Sequence, residues 1–276
     1  MDRRVFLGTL AAGACAAAPP LKFGHREASM KMVGNIGVFE LASRISGLHG
    51  VELQITAGRP LLWDAEILRR YKAEANRWGI RIHSLAAPFP KGVTIRTVDT
   101  APEALRKAIA TARFLGASVI LLPFFRDNCP NMEDESQYGP VVKMLKQAAP
   151  EARDSGVVLG LENSLSPAGN ARLCDLVNDP SVRIYYDLYN CEYYGHTGQS
   201  VPGVAVIGRE RICAVHVKNE TKLIEEPGKL DWRAALGELK KIGYEGWYTF
   251  ETAHTSEAQC ITATERNIAF LRGILS

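Results

Sequence analysis

The sequence is poor in cysteine, and its few cysteines form no recognisable motif. Six of them are spread over 276 residues, and no two form a Cys-x-x-Cys pair. This spacing argues against a zinc knuckle and against a disulfide framework. The chain also lacks an excess of one charge, since 33 basic and 30 acidic side chains leave a net charge of +3. Proteins that bind nucleic acid usually carry a strongly basic surface, so we predict no nucleic-acid partner.

The N-terminal apolar run is too short to cross a membrane. It extends from Val5 to Ala18 and consists of small and apolar residues, whereas a membrane-spanning helix takes about 20 apolar residues. We therefore predict no transmembrane span. The paired Arg3 and Arg4 precede this run, which has the length of the hydrophobic part of a signal peptide.

This stretch resembles a twin-arginine export signal. Arg-Arg-Val-Phe-Leu matches the core of that pattern, whereas Asp2 and Gly8 depart from it at the edges. The resemblance implies export of the folded chain to the periplasm, with cleavage near residues 16–18. The predicted organisation is a signal peptide at residues 1–18 and one domain at residues 19–276. Two alternatives remain open, a frayed N-terminus with a chance arginine pair and a lipid anchor at Cys15.

Residues 21–276 alternate between short apolar runs and amphipathic segments, without a linker or low-complexity tract. The apolar runs are mostly continuous, which is typical of parallel strands buried on both faces. We predict eight strands, at residues 21–24, 51–55, 80–85, 118–123, 157–161, 182–186, 212–217 and 246–250. We predict helices at residues 64–78, 101–115, 138–155, 232–242 and 256–271.

Eight strand–helix units in a chain of this length match the size of a (β/α)8 TIM barrel, an α/β fold. An open doubly wound sheet is the alternative. However, no Gly-x-Gly-x-x-Gly motif follows the first predicted strand, and this absence argues against the dinucleotide-binding form of that fold.

Four consecutive predicted strands end in residues that can bind a metal, namely Glu162, Asp187, His216 and Glu251. Functional side chains of a parallel barrel gather at the carboxyl ends of its strands, where three unpaired carboxylates would repel one another. A divalent cation removes this repulsion, and three oxygens with one imidazole suit Mn²⁺, Mg²⁺, Co²⁺ or Zn²⁺. Taken singly, each residue could instead be a loop cap, an ion-pair partner or a hydrogen-bonded core histidine.

The segments Leu-Gly-Leu-Glu-Asn-Ser, Tyr-Tyr-Asp-Leu-Tyr-Asn, Val-His-Val-Lys-Asn and Phe-Glu resemble the xylose-isomerase-like barrel family of sugar isomerases and epimerases. The resemblance covers the whole mature chain. It implies one divalent ion, with Mn²⁺ first among the candidates, held by Glu162, Asp187, His216 and Glu251. It further implies that Glu162 and Glu251 are the catalytic acid and base, while Asp187 and His216 only bind the metal.

The chain departs from this family at several positions. Asn190 replaces the histidine of an Asp-x-x-His motif, and Asn219 replaces the aspartate of a His-x-Lys-Asp motif. Ala168 replaces a further glutamate of the sugar epimerases, and Lys222 replaces an arginine. These departures argue against simple ketohexose epimerisation. The missing Asp-x-x-His motif also argues against the endonuclease IV branch, which needs three zinc ions.

Further polar residues are candidates for substrate binding because they lie at or after predicted strands. Lys218 is two residues past His216 and therefore shares its face of the seventh strand. Each candidate could equally be a packed or capping side chain. The candidates are Lys218, Asn190, His196, Glu52, His25 and His83.

The sequence thus predicts an exported, metal-dependent isomerase or epimerase of a sugar or polyol that carries a carbonyl group. One glutamate would remove the proton α to the carbonyl and give an enediolate, which the other glutamate would protonate. The alternatives are a lyase or dehydratase of the same superfamily, acting on an inosose or a 3-keto-glycoside, and a non-catalytic periplasmic sugar-binding barrel. The expected partner is a small sugar or polyol, and a homo-oligomer is compatible with the sequence.

Overall fold

The computed structural model describes residues 20–56, 61–97 and 99–276. The predicted signal peptide at residues 1–18 lies outside the described residues, so the twin-arginine interpretation and the cleavage position stay predictions. In the described part of the chain, no helix is both long enough and apolar enough to cross a membrane.

Eight parallel strands form a closed barrel, in which each strand pairs with the next and the last pairs with the first. The predicted (β/α)8 fold is confirmed. Each predicted run overlaps its strand, because a continuous apolar run marks a strand buried on both faces. The strands are β1 Lys22–Arg26, β2 Gly50–Gln54, β3 Arg81–Ala86, β4 Val119–Phe124, β5 Val158–Asn163, β6 Val182–Asp187, β7 Ile212–Val217 and β8 Trp247–Phe250.

Nine α-helices lie between and after these strands in the described ranges. Short 3₁₀ turns add to them at Leu61–Trp63, Arg126–Asn128 and Arg209–Arg211. The helices are α1 Val38–Ser43, α2 Ala65–Trp78, α3 Ala101–Leu115, α4 Glu135–Asp154, α5 Pro167–Val177, α6 Leu188–Tyr193, α7 Ser200–Ile207, α8 Trp232–Lys241 and α9 Glu257–Leu275.

The helix ends have local causes in the sequence. Asp64 and Asp231 accept hydrogen bonds from backbone N–H groups in the first turns of α2 and α8, respectively. Gly79 ends α2 with φ +66°, in the left-handed region that glycine adopts without steric cost. These caps explain why the predicted boundaries of both helices lie within a residue of the observed ones.

The segment after β6 differs from the prediction. The sequence interpretation places His196 on a long loop after β6, but the short helices α6 and α7 flank His196 and occupy most of that segment. The carboxylate of Asp187 caps α6 by accepting a hydrogen bond from the Asn190 N–H at 2.9 Å.

The helix α5 is also absent from the predicted set. Its apolar period is not clear in the sequence, because its buried face includes the polar Asn170.

Packed side chains fill the interior of the barrel below its carboxyl end. Side chains that could bind a ligand are therefore confined to the carboxyl ends of the strands. Tyr185 and Trp247 belong to a buried cluster inside the barrel, separate from the larger apolar core that includes the helices. Two glycines make room for His83 in this interior. A Cβ added at Gly24 would lie 2.3 Å from its Nε2 atom, and one at Gly50 would lie 3.2 Å from its ring.

Candidate metal centre

Four consecutive strands each present one metal-binding side chain at the same end of the barrel. Glu162 and His216 are the penultimate residues of β5 and β7, and Asp187 is the last residue of β6. The strand register pairs Asp187 with His216. Glu251 follows β8 directly, and its backbone N–H donates to the carbonyl oxygen of Val217 at 3.0 Å.

The four side chains converge in one buried cluster. One ligand atom from each lies within 4.8 Å of the others. The Nδ1 atom of His216 lies 3.2 Å from Glu162 Oε1, 3.6 Å from Glu251 Oε2 and 3.9 Å from Asp187 Oδ2. His216 is fully buried, and only 4% of the surface of Glu162 is exposed. The structure therefore brings the four predicted ligands together around the imidazole nitrogen.

The donor set of this cluster fits a divalent cation. Carboxylate oxygens suit hard ions such as Mn²⁺ and Mg²⁺, and one imidazole nitrogen is compatible with them. Three acidic groups removed from water need a positive charge nearby. The cluster could therefore hold a metal ion.

Two basic side chains also meet these carboxylates. Lys218 Nζ lies 2.6 Å from Asp187 Oδ2 and 2.8 Å from Glu251 Oε2. Arg26, the last residue of β1, forms an ion pair with Glu251, and its Nε lies 3.6 Å from Glu52 Oε1. Lys218, a predicted substrate residue, therefore contacts two carboxylates of the cluster.

The surrounding charges give the two glutamates different proton affinities. Burial raises the pKa of Glu162, and His216 only partly offsets this effect. Burial would also raise the pKa of Glu251, but His216, Lys218 and Arg26 together lower it to about 2. Glu251 is therefore ionised at neutral pH, and Glu162 holds a proton more readily.

Glu52 lies behind His216 rather than at the mouth of the barrel. It is fully buried, and its Oε1 lies 3.3 Å from His216 Nε2. In the neutral tautomer with the proton on Nε2, His216 would donate to Glu52 and turn its Nδ1 lone pair toward the other ligands. Glu52 is thus placed to orient His216, and its geometry does not support the predicted contact with substrate.

Asn190 and His196 both lie beside β5, but only Asn190 contacts the cluster. The Asn190 side chain donates from Nδ2 to Glu162 Oε1 at 3.0 Å, so it positions that carboxylate. His196 lies between α6 and α7, and its Nε2 is 3.0 Å from the carbonyl oxygen of Ser164. The structure therefore shows a backbone contact for His196.

His25 and His83 do not join the cluster. Alternation along β1 turns His25 toward the helix layer, where its Nε2 lies 3.1 Å from His254 Nε2. His83 stacks on Trp247 at the start of β8, with ring centroids 4.3 Å apart, and is 2% exposed. Neither position supports the predicted contact with substrate.

Arg26 contacts the cluster through Glu251, whereas the sequence interpretation selects its neighbour His25 from this segment. It lies next to His25 on β1, and the pattern alone does not show which of the two faces inward. Gly24 offers a clue to the direction of Arg26. A glycine inside a strand often marks a crowded face, and a residue two positions later shares that face. In the structure a Cβ at Gly24 would meet His83 in the barrel interior.

Aromatic and basic side chains border the same end of the barrel. Phe125 stacks on Tyr194 with ring centroids 5.4 Å apart, and Arg126 Nη2 donates to the Tyr193 hydroxyl at 3.3 Å. Lys229 Nζ lies 5.0 Å from the centroid of the Tyr193 ring, which is 49% exposed. These residues follow β4, β6 and β7, so they surround the opening above the cluster.

The fold and the cluster define a (β/α)8 barrel whose carboxyl end could hold a metal ion. Residues 39–274 match the model of the family described as xylose isomerase-like TIM barrel. The chain belongs to that family.

Several epimerases are similar to this chain. The 2-epi-5-epi-valiolone 7-phosphate 2-epimerase of Actinoplanes sp. is 26% identical over 152 residues, which span 54% of this chain and 56% of that protein. The match therefore covers about half the length of this curated relative.

Solved structures share the fold over almost the whole chain. D-psicose 3-epimerase with D-tagatose from Clostridium cellulolyticum H10 has a TM-score of 0.76 at 14% identity, covering 93% of this chain and 100% of that one. The 3-keto-D-glucoside 4-epimerase from E. coli has a TM-score of 0.64 at 16% identity, covering 92% and 100%, respectively. At these identities the likeness concerns the fold.

Proposed function

We propose that the protein is a divalent-metal-dependent isomerase or epimerase of a sugar or polyol that carries a carbonyl group. The observation that carries this proposal is the convergence of Glu162 and Glu251 with Asp187 and His216 within 4.8 Å. Membership of the xylose isomerase-like family and the presence of epimerases among its relatives support the same activity.

The three carboxylates and Nδ1 of His216 would hold the divalent ion, with Mn²⁺ first among the candidates. When bound, the ion would polarise the substrate oxygens and offset the negative charge of an enediolate. Glu52 would keep the His216 ring in orientation through Nε2, and Asn190 would hold Glu162 through its amide.

We assign Glu162 and Glu251 as the acid and base. Both carboxylates belong to the cluster that would hold the ion, so a substrate bound there would lie within reach of both. One carboxylate would accept the proton from the carbon α to the carbonyl, and the other would return a proton to the enediolate. Delivery to the opposite face of the same carbon gives an epimer, and delivery to the neighbouring carbon gives an isomer.

Solvent deuterium uptake tests this assignment. Ketoses, inososes and 3-keto-glycosides would be incubated with the protein and Mn²⁺ in D₂O, and α-proton exchange would be followed by NMR. On the substrate so found, Glu251→Gln should lower exchange by about 10²–10⁴-fold, because an amide can still offer an oxygen to a metal but cannot accept a proton. Glu162→Gln should have a similar effect.

The matched control is Glu225→Gln, which removes a carboxylate from the surface ion pair with Arg266 and should leave exchange unchanged. Undiminished exchange in Glu251→Gln would show that this carboxylate is structural. Binding of a sugar without exchange of any α-proton would instead identify a non-catalytic sugar-binding barrel.

A lyase or dehydratase is the second candidate, and two positions favour it. Ala168, in the first turn of α5, is exposed and has no polar group for a substrate hydroxyl. Lys222 Nζ donates to the carbonyl oxygen of Pro227 at 3.1 Å, so its charge is engaged with the chain itself. Mass spectrometry of the product separates the two activities, because elimination releases water or an alcohol and epimerisation preserves the mass.

A further inference from the structure

A second group of metal-binding side chains lies between β1 and α9. His25, His254 and Cys260 each offer one ligand atom, and these atoms lie within 4.8 Å of one another. Their exposed fractions are 0%, 4% and 1%, respectively. They come from β1, from the loop after β8 and from the first turns of α9, so only the folded chain brings them together.

The hydrogen bonds of His25 determine which of its nitrogens is available. Its Nδ1 lies 3.2 Å from the carbonyl oxygen of Arg26, which can only accept, so Nδ1 carries the ring proton. Nε2 therefore carries a lone pair, which faces Nε2 of His254 at 3.1 Å. Metal-ligating histidines are usually anchored in this way, with one nitrogen donating to a carbonyl or carboxylate.

The distances suit a single ion. Two nitrogens that are 3.1 Å apart and each about 2.05 Å from an ion subtend an angle of about 98° there, which is near tetrahedral. The Cys260 sulfur and one ring nitrogen of each histidine lie within 4.8 Å of one another, so these three side chains could close on one ion.

The protonation states of these groups are compatible with binding. Burial lowers the pKa of His25 to about 3 and that of His254 to about 4, so both imidazoles are neutral at neutral pH. Burial raises the pKa of Cys260 to about 11, so the thiol would lose its proton only when an ion replaces it. His254 would at the same time carry its proton on Nδ1 instead of sharing it with His25.

We propose that His25, His254 and Cys260 form a second metal site, which binds Zn²⁺ through two imidazole nitrogens and one thiolate. This donor set is softer than that of the carboxylate cluster and therefore favours Zn²⁺ over Mn²⁺ and Mg²⁺. His25 precedes Arg26, and His254 lies three residues after Glu251. A zinc ion would thus tie together the two segments whose ion pair faces the first cluster.

Cobalt spectroscopy tests the site directly, because Co²⁺ bound to a thiolate gives a sulfur-to-metal charge-transfer band in the near ultraviolet. We expect this band when the metal-free full-length protein is titrated with Co²⁺, and we expect Zn²⁺ to abolish it. Cys260→Ser should eliminate the band and lower bound Zn²⁺ by one ion per chain after dialysis, as measured by elemental analysis. His254→Gln should lower zinc retention in the same way.

Two control variants separate this site from the first cluster. Cys174→Ser changes another buried cysteine, on α5, and should keep both the band and the zinc. His216→Ala should keep the band, because it removes a ligand of the carboxylate cluster only. Absence of the band in the folded wild type, or its persistence in folded Cys260→Ser, would overturn the proposal. Circular dichroism would establish that each variant is folded.

Discussion

The buried acidic side chains of this protein differ in the groups that compensate their charge. Glu251 faces Lys218 and Arg26, whereas no basic side chain in the described part of the chain forms an ion pair with the Glu27 carboxylate. Glu27 Oε1 accepts a hydrogen bond from the Gln54 N–H at 2.5 Å, while Oε2 makes none. Because Glu27 is only 1% exposed, the folded protein favours its neutral form.

Stability should therefore depend on the titration of Glu27. Burial raises its pKa from 4.5 to about 8, so the folded state keeps a proton that the unfolded chain releases. The stabilisation that comes from binding this proton is complete below pH 4.5 and is lost as the pH rises to about 8. The pKa difference of about 3.5 corresponds to at most about 5 kcal/mol.

Glu27→Gln removes this titration and should flatten that part of the pH profile. Urea denaturation at several pH values would show a smaller loss in the free energy of unfolding than in the wild type. Glu40→Gln, at an exposed position of α1, is the control and should retain the wild-type profile. An unchanged profile in Glu27→Gln would contradict the assignment of a buried neutral acid.

At the level of secondary-structure elements, the close approach of β2 to β3 limits what side chain β2 can carry. A Cβ at Gly50 would lie 2.7 Å from the carbonyl oxygen of Arg81 and 3.1 Å from the Trp247 ring. The carbonyl belongs to the strand ladder and cannot move without disturbing the pairing of β2 with β3. Glycine at this position is therefore required by packing.

We expect Gly50→Ala to lower the free energy of unfolding by about 1–3 kcal/mol, the usual cost of an overpacked core. Gly237→Ala is the matched control, because a Cβ at this position of α8 would have nothing within 4 Å. Helix propensity predicts that it stabilises the protein by about 0.5–1 kcal/mol. Equal effects of the two substitutions in urea denaturation would refute the steric explanation.

At the scale of the whole molecule, an ion at the carboxylate cluster would connect four strands of the barrel and should stabilise the fold. When the free concentration of the ion is about 100 times its Kd, the free energy of unfolding should rise by about 2.7 kcal/mol. Thermal unfolding with Mn²⁺ and then with excess chelator measures this gain. Asp187→Ala should lose most of it.

The control for this measurement is Asp175→Ala, which removes an acidic side chain of α5 that is 59% exposed and pairs with Arg211. It should retain the full increase in melting temperature with Mn²⁺. The same increase in Asp187→Ala would place the stabilising ion somewhere other than the carboxylate cluster.

We also propose that this protein is exported to the periplasm by the twin-arginine route, on the basis of the pattern in residues 1–18. A fusion of residues 1–30 to a reporter that must fold in the cytoplasm should reach the periplasm. Replacing Arg3 and Arg4 together by lysine should block this export. Passage through the general secretory route would exclude the twin-arginine interpretation and leave the enzymatic proposal intact.

The barrel and its four strand-end residues follow from order along the chain. Parallel strands buried on both faces require continuous apolar runs, and in this barrel each strand pairs with the next in sequence. A polar residue at the end of each of four consecutive runs must therefore lie beside the others. For this reason Glu162, Asp187, His216 and Glu251 could be grouped without coordinates.

The direction of side chains near the site depends on tertiary contacts. Both faces of β1 are buried, so no apolar alternation indicates that Arg26 points inward while His25 points toward α9. The same applies to Glu52, because β2 and β7 are not neighbours in the barrel and its contact with His216 joins residues that are 164 positions apart in sequence. Hydrophobic patterning reports only whether a side chain is buried, and packing in three dimensions selects what it is buried against.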